Sequence, residues 1–248
     1  MYRAADASEE ARAYETLVSA LSGDRERAYS ILRTSGADLS LPFPSYSDLI
    51  SDGTGLSRDY LDSLWRDVRE AFDRERVGYS IIPDHSPLFP EGLKAEPVHY
   101  LYSLGNSDLL NRYKVAFLGM GLPSLQGKED VLKAVSCAAE NPKTALIAPL
   151  EPGTPAFALS MAIKRGMPVI AVLSSFVSKC PSEQLIDLMG EIYEHGLLIS
   201  EFSPFQKREK WHVVYRNKTI AAVADAAFLS EEKDGGPSWA VFDGIQHK

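Results

Sequence analysis

The sequence predicts an α/β fold, a parallel sheet with helices on both faces preceded by a small helical N-terminal domain. Three observations lead there. From Lys114 onward, short apolar runs alternate with longer amphipathic stretches, at spacings that suit strand, loop and helix in turn. The first run, Val115-Ala116-Phe117-Leu118, is apolar throughout and stops at Gly119 and Gly121, the pattern of a buried parallel strand turning tightly into a helix. Before residue 78 the periodicity is helical only.

Tyr14, Leu17, Val18 and Leu21 fall at i, i+3, i+4 and i+7 and give a first helix one apolar face, and Ala28, Ile31 and Leu32 repeat the pattern in a second. Ser45 and Asp48 have the spacing of a capping box opening a short third helix. In a fourth, Leu61, Leu64, Trp65, Val68 and Phe72 form one stripe. Its opposite face, with Asp62, Arg66, Asp67, Arg69, Glu70 and Asp73, reads as solvated surface, and Trp65 as core. Residues 1–78 are therefore expected as a helical N-terminal domain and residues 79–248 as the α/β domain.

A connector rich in proline (Pro83, Pro87, Pro90, Pro97) carries two short runs with strand composition, Tyr79 to Ile82 and Val98 to Tyr102. His85 and His99 within it are isolated from other metal-ligating side chains and read as surface or edge residues. Strands are then expected at 115–118, 144–148, 169–173, 197–200 and 226–229. The helices between them carry Val131, Leu132, Val135 and Ala139 on one face of the first, and cover 156–165, 183–195 and 217–224 in the rest. Such alternation with short loops gives right-handed crossovers and a Rossmann-like parallel sheet covered on both faces. Ligands of open sheets sit at the carboxyl ends of the strands, so the loops of interest are 119–128, 149–155, 174–181, 201–216 and 230–238.

A chain of 248 residues can bury a core of this kind without staples. A formal net charge of −8 argues against a generic nucleic-acid coat, which needs clustered Lys and Arg, while leaving room for a local basic site. Cys137 and Cys180 stand apart from any metal-ligand spacing, so the reading is a reduced, cytoplasmic protein without a metal site. The opening Met1-Tyr2-Arg3-Ala4-Ala5-Asp6 is not a secretion signal, and no apolar run approaches the roughly 20 residues that span a bilayer.

In the stretch from Gly119 to Lys128, glycines let the backbone approach a ligand and the next helix aims its unpaired N–H groups at an anion. It is not a dinucleotide fingerprint. Ser124 stands where G-x-G-x-x-G needs glycine, and the nearest acidic residue beyond the next strand, Glu151, lies in a Pro-rich loop, so no nucleotide cofactor is expected. The densest basic cluster, Lys207-Arg208-Glu209-Lys210-Trp211-His212, is interrupted by glutamate and holds a single aromatic for stacking, and reads as a solvated loop. No Ser-His-Asp order, Cys-His pairing or carboxylate pair stands in a ligand loop, so no catalytic residue is assigned.

Taken in order, the loops resemble a known family. Leu118-Gly119-Met120-Gly121-Leu122-Pro123-Ser124-Leu125-Gln126-Gly127 is similar to the V-G-T-R-x-P-S-x-Y-G signature of the DNA-processing protein A (DprA/Smf) family. Phe89-Pro90-Glu91-Gly92-Leu93 resembles its Y-P-x-x-L, and Leu101 to Asn106 its L-Y-x-x-G-N. Val169 to Leu173 falls at its T-I-A-V-L, Gly196 to Glu201 at its G-x-x-x-S-E, and Tyr215 to Ala221 at its P-R-N-R-I-I-A. The similarity runs from Tyr79 to Val241, and a helical (SAM-like) N-terminal domain fits the same layout.

There are also departures. Gly121 replaces the arginine of the first loop and Gln126 its tyrosine; the S-G-x-A-x-G-I-D-x-x-A-H segment has become Ala148 to Leu159; and Cys180-Pro181 stands for a Y-P. A shortened C-terminus is expected, with no room for a full helix after Asp234-Gly235-Gly236. The resemblance implies a non-enzymatic protein that binds single-stranded DNA in uptake or recombination, helps load a RecA-type recombinase and forms a homodimer. It points to Gly119, Gly121, Ser124, Gly127, Lys128, Lys179, Arg216, Asn217 and Lys218 as the DNA- and phosphate-binding residues, with Arg216 and Asn217 equally able to act as structural ties. The alternatives are a nucleotide-binding enzyme of the phosphoribohydrolase type, of whose P-G-G-x-G-T the segment Asp234 to Ser238 is a faint echo, and a degenerate protein-binding scaffold.

Overall fold

The structure is a computed structural model that describes residues 4–119, 121–232 and 235–247. Four helices come first: α1 (Ala4–Ala20), α2 (Arg25–Thr34), α3 (Ser47–Thr54) and α4 (Arg58–Arg74). Side-chain caps open two of them, Asp24 accepting from the Arg27 amide and Ser57 from that of Tyr60. The capping box expected at Ser45 does not form. Pro44, with its fixed φ, favours a tight 3-10 turn over Phe43–Ser45, the buried Phe43 anchors that turn, and α3 starts two residues later behind Tyr46. On α4, Leu61, Trp65, Val68 and Phe72 are buried as the stripe requires, and the charged face is laced with ion pairs such as Arg69–Asp73 at 3.3 Å.

Among the described residues seven strands follow: β1 (Ser80–Pro83), β2 (Tyr100–Gly105), β3 (Tyr113–Gly119), β4 (Thr144–Pro149), β5 (Val169–Val172), β6 (Leu197–Ser200) and β7 (Ala226–Ser230). They form one sheet in the order β1-β2-β6-β5-β4-β3-β7. The strands from β6 to β7 in that order are parallel, as the alternation requires, and the two runs of the connector add an antiparallel pair beyond β6.

The pleat divides the core between two faces. On β5, Val169 and Ala171 meet one hydrophobic cluster and Ile170 and Val172 the other. The first face is covered by α5 (Leu125–Ala139), α6 (Thr154–Lys164) and α7 (Ile186–His195), through Val131, Val135, Ala158, Leu159, Ala162 and Ile192. The second is covered by α8 (His212–Val223) and α9 (Pro237–Gln246), through Ile220, Val223, Val241 and Ile245. Each fully buried Leu, Ile or Phe contributes about 1.5–3 kcal/mol of transfer free energy. The cluster on the first face continues without a break into the helical region, where Tyr14 of α1 packs on Tyr100 of β2 with ring centroids 4.9 Å apart. His99 sits at that seam, its ring stacked on Tyr29 at 3.6 Å and its Nδ1 3.1 Å from Asp84.

Two helix starts differ from expectation. Position 217 lies inside α8, which begins at His212, because His212 stacks on Phe202 at 3.9 Å and Trp211 meets His212 edge-on, tertiary packing that opens the helix without a side-chain cap. A ten-residue α9 does follow Gly236, because Pro237 presets the first turn and Val241 and Ile245, four apart, bury against the sheet. The chain thus steps from β3 to β6 in one direction, with helices on one face, and returns by α8 on the other face to place β7 beside β3. The crevice between β3 and β7 is the topological switch point, where open α/β sheets bind ligands.

Candidate nucleic-acid interface

The β3–α5 loop turns on Gly121, which has φ +66°, a left-handed conformation that glycine adopts freely, and a Cβ there would meet nothing within 4 Å. Its carbonyl accepts hydrogen bonds from the Thr154 amide at 2.9 Å and hydroxyl at 3.3 Å. Gly153, just before α6, has φ +104° and passes so close that a Cβ would lie 2.1 Å from the Gly121 oxygen, so the backbone contact itself demands glycine. Ser124 caps α5, its Oγ accepting from the Gly127 amide at 3.1 Å.

At this helix start sits a carboxylate of the same chain. Glu231, just past β7 in a left-handed conformation with φ +50°, accepts from the Ser124 amide at 2.8 Å and from the Ser124 hydroxyl. These bonds, the hydroxyl's first and the amide's second, hold the Glu231 carboxyl below the ordinary glutamate range. A Cβ at Gly127 would come within 2.2 Å of Glu231 Oε2, so glycine there leaves room for the carboxylate. Glu231 bridges the two loops that flank the switch-point crevice, 107 residues apart in sequence, and no local pattern in the sequence marks it.

Arg216 and Asn217 tie loops together. The Arg216 side chain is 2% exposed, its Nε and Nη2 donate to Asn217 Oδ1 at 3.2 and 2.7 Å, and its Nη1 pairs with Glu151 in the β4–α6 loop. Glu151 lies two residues from Gly153, so α8, the β4–α6 loop and the Gly121 turn form one connected end of the sheet. The structure therefore brings Gly119, Gly121, Ser124, Gly127, Arg216 and Asn217 together. Lys128 and Lys218 project outward from α5 and α8, Lys218 lying 5.6 Å over the Tyr215 ring. Lys179 is exposed, donates to the Pro204 carbonyl at 3.0 Å and lines a separate cleft between the helical region and residues 204–212.

A third carboxylate at this end, Glu201, is committed inward. It pairs with Arg25 of α2, 176 residues away in sequence, and accepts from the Thr219 hydroxyl at 2.8 Å. Beside it Glu15, buried on α1, accepts from Gln206 Nε2 at 3.2 Å, and burial raises its carboxyl pKa above the ordinary value. Burial also lowers the His212 imidazole below its usual 6.5. Among the described residues, no three His, Cys, Asp or Glu side chains are placed to hold a metal ion, and no helix is long and apolar enough to cross a membrane.

Residues 80–239 match the DNA recombination-mediator protein A family. The curated DNA processing protein DprA of Bacillus subtilis (strain 168) is 26% identical over 161 residues, 63% of this chain and 54% of that protein. Its Streptococcus pneumoniae (strain R6) counterpart is 31% identical over 159 residues, 62% of this chain and again 54% of the relative. The chain spans about half the length of the curated relatives it matches. The crystal structure of S. pneumoniae DprA superposes with a TM-score of 0.71 at 20% identity, covering 90% of this chain and 78% of that one. DNA processing protein A from Helicobacter pylori, described for its single-stranded DNA binding mode, superposes with a TM-score of 0.59 at 22% identity, covering 69% of this chain and 78% of that one. At these identities the superpositions speak to fold alone, and it is the family match over residues 80–239 that assigns the chain to the DNA recombination-mediator protein A family.

Proposed function

We propose that the protein binds single-stranded DNA without sequence preference, as a non-enzymatic component of DNA uptake or recombination that helps load a RecA-type recombinase. The observation that carries this reading is the convergence of the motif-bearing loops. The Gly119–Ser124 turn, the β4–α6 loop and the Arg216-Asn217 pair meet at the carboxyl end of the parallel strands, joined by the Thr154–Gly121 bonds and the Glu151–Arg216 pair. The H. pylori relative, described by its single-stranded DNA binding, supports the choice of ligand.

In this reading a phosphate reaches the start of α5 by displacing the Glu231 carboxylate from Ser124, and it receives the Ser124 amide and hydroxyl in its place. Arg216 acts as a positioning residue, because its guanidinium is internal. Lys128 and Lys218 supply the exposed charge. With no arginine at position 121, a charged two-pronged contact is missing, and hydrogen bonds to charged groups are worth roughly 1.5–3 kcal/mol each, so binding is weak.

Fluorescence anisotropy of a labelled oligo(dT), at salt from about 50 to 200 mM, tests the reading. We expect measurable affinity at the low end and a log–log salt slope near −0.7 per phosphate neutralised, so about −1.5 to −3 for a few contacts. An affinity of zero at the lowest salt, in protein that melts cooperatively, overturns it.

A further inference from the structure

Three of the four residues before Trp211 are basic (Lys207, Arg208, Lys210), all exposed, on a chain whose net charge is −8. In sequence this looks like a solvated loop with one ring. The structure adds a second. Tyr215 lies one turn along α8, edge-on to Trp211 with centroids 5.2 Å apart, and two cations stand over it, the Arg25 guanidinium at 5.1 Å and the Lys218 ammonium at 5.6 Å.

Trp211 packs one side on His212 and Phe202, yet 48% of it stays open to solvent. That open part contributes nothing to the core. It forms one wall of a cleft of about 810 Å³ between the helical region and residues 204–212, large enough for a nucleotide. At the base of the cleft are Glu15, 2% exposed, and Arg25 and Gln206, and among them Glu15 Oε1, Arg25 Nη2 and Gln206 Oε1 are buried without a hydrogen-bond partner. Those atoms are themselves sealed from solvent, and what the cleft offers a ligand is the open face of Trp211 beside the polar side chains of its lining, a surface that suits a molecule with one flat face and one polar edge. A nucleobase is one: it has a π face for Trp211 and an edge of donors and acceptors, while the phosphates beside it suit Lys207 of the cleft wall and the exposed Arg208 and Lys210 next to it, away from Asp67, Glu70 and Glu209, which also line the cleft. A base paired and stacked in a duplex could not present both.

We propose that Trp211, with Tyr215 beneath its flank and the cleft at its side, is a base-stacking site for unpaired nucleotides, separate from the β3–α5 cradle. The proposal rests on the single-stranded DNA reading and extends it from phosphate contact to base contact.

The test compares oligo(dT) with an abasic oligonucleotide of equal length. For the unaltered protein, oligo(dT) should bind more tightly, and Trp211→Ala should weaken oligo(dT) about five- to a hundredfold, the span of one stacking contact, while leaving the salt slope and the abasic affinity unchanged. Trp211→Phe should restore most of the loss, and Lys207→Ala with Lys210→Ala should flatten the salt slope instead. An oligo(dT) carrying 5-iodouracil should photocrosslink to Trp211 in the unaltered protein, a measurement independent of any variant's folding. If the protein binds oligo(dT) but Trp211→Ala binds equally well, or if crosslinks map elsewhere, the stacking site is wrong and the cradle reading stands. If the protein binds neither oligonucleotide at low salt, both fall.

Discussion

Glu231 does with a carboxylate what the cradle at the start of α5 would do with a phosphate: it takes the Ser124 amide and hydroxyl. Three predictions belong to this scale. Glu231→Gln keeps the shape and removes the charge, so affinity for oligo(dT) should rise several-fold at low salt, with the gain shrinking as salt screens it. An unchanged affinity would mean that phosphate does not come to Ser124. The same pair sets a pH dependence. Because the folded-state pKa of Glu231 is lowered, its bonds to Ser124 stabilise the fold above the ordinary glutamate value of 4.5 and are lost as pH falls through the lowered value. Thermal melts of the parent and of Glu231→Gln should therefore converge at acid pH and separate above 4.5. At Gly121 the Cβ position is open but φ is +66°, so Gly121→Arg should lose about 1–2 kcal/mol of stability to left-handed strain. It should nonetheless tighten DNA binding about tenfold or more, by supplying a bidentate charged contact. Anisotropy run beside a melt separates the two effects, and a folded variant with unchanged affinity places the phosphate elsewhere.

At the scale of elements, α8 shows what could be read in the chain and what could not. Its body was legible from Ile220 and Val223, which face the sheet, but its start was not, because His212 and Trp211 are held by Phe202 across a loop rather than by a neighbour in sequence. The same holds for the site. The Gly119–Gly127 turn is written locally, whereas Glu231 on Ser124 and Arg25 on Glu201 join residues 107 and 176 positions apart. The connector runs read as strands, yet their antiparallel place beyond β6 depends on register with Leu197 to Ser200, which no periodicity encodes. Arg216 follows from this. Its burial makes Arg216→Ala a stability variant: removing one partner of a fully buried ion pair costs about 3–5 kcal/mol, and here about 1–3, because Glu151 is 34% exposed and can rehydrate. Chemical denaturation should show that loss, and the salt slope of DNA binding should stay unchanged. A flattened slope in a stable variant would instead make Arg216 a direct phosphate ligand.

For the molecule as a whole, the two edges of the sheet are treated differently. At one edge β1 is only four residues long, ends in Pro83 and is packed by α1, three ways of blunting an edge against another chain. At the other, β7 pairs with β3 on one side and, among the described residues, with no strand on the other, and it carries neither lysine nor proline over Ala226–Ser230. Its faces are partly covered by α9 and α5, with Ala226 to Leu229 half-buried. A second copy related by a two-fold axis would meet that edge antiparallel and continue the sheet, the isologous contact that most homo-oligomers use. We therefore expect a homodimer through the Rossmann-like sheet. The dissociation constant should lie below tens of micromolar, since weaker association corresponds to less than roughly 6–7 kcal/mol. Sedimentation velocity over that range should show a concentration-dependent shift from monomer to dimer. Hydrogen exchange should show amides of Ala226–Ser230 protected at high concentration and exposed on dilution, beyond the bonds they already make to β3. A single monomer-sized species at every loading would leave β7 an unpaired edge and remove the dimer.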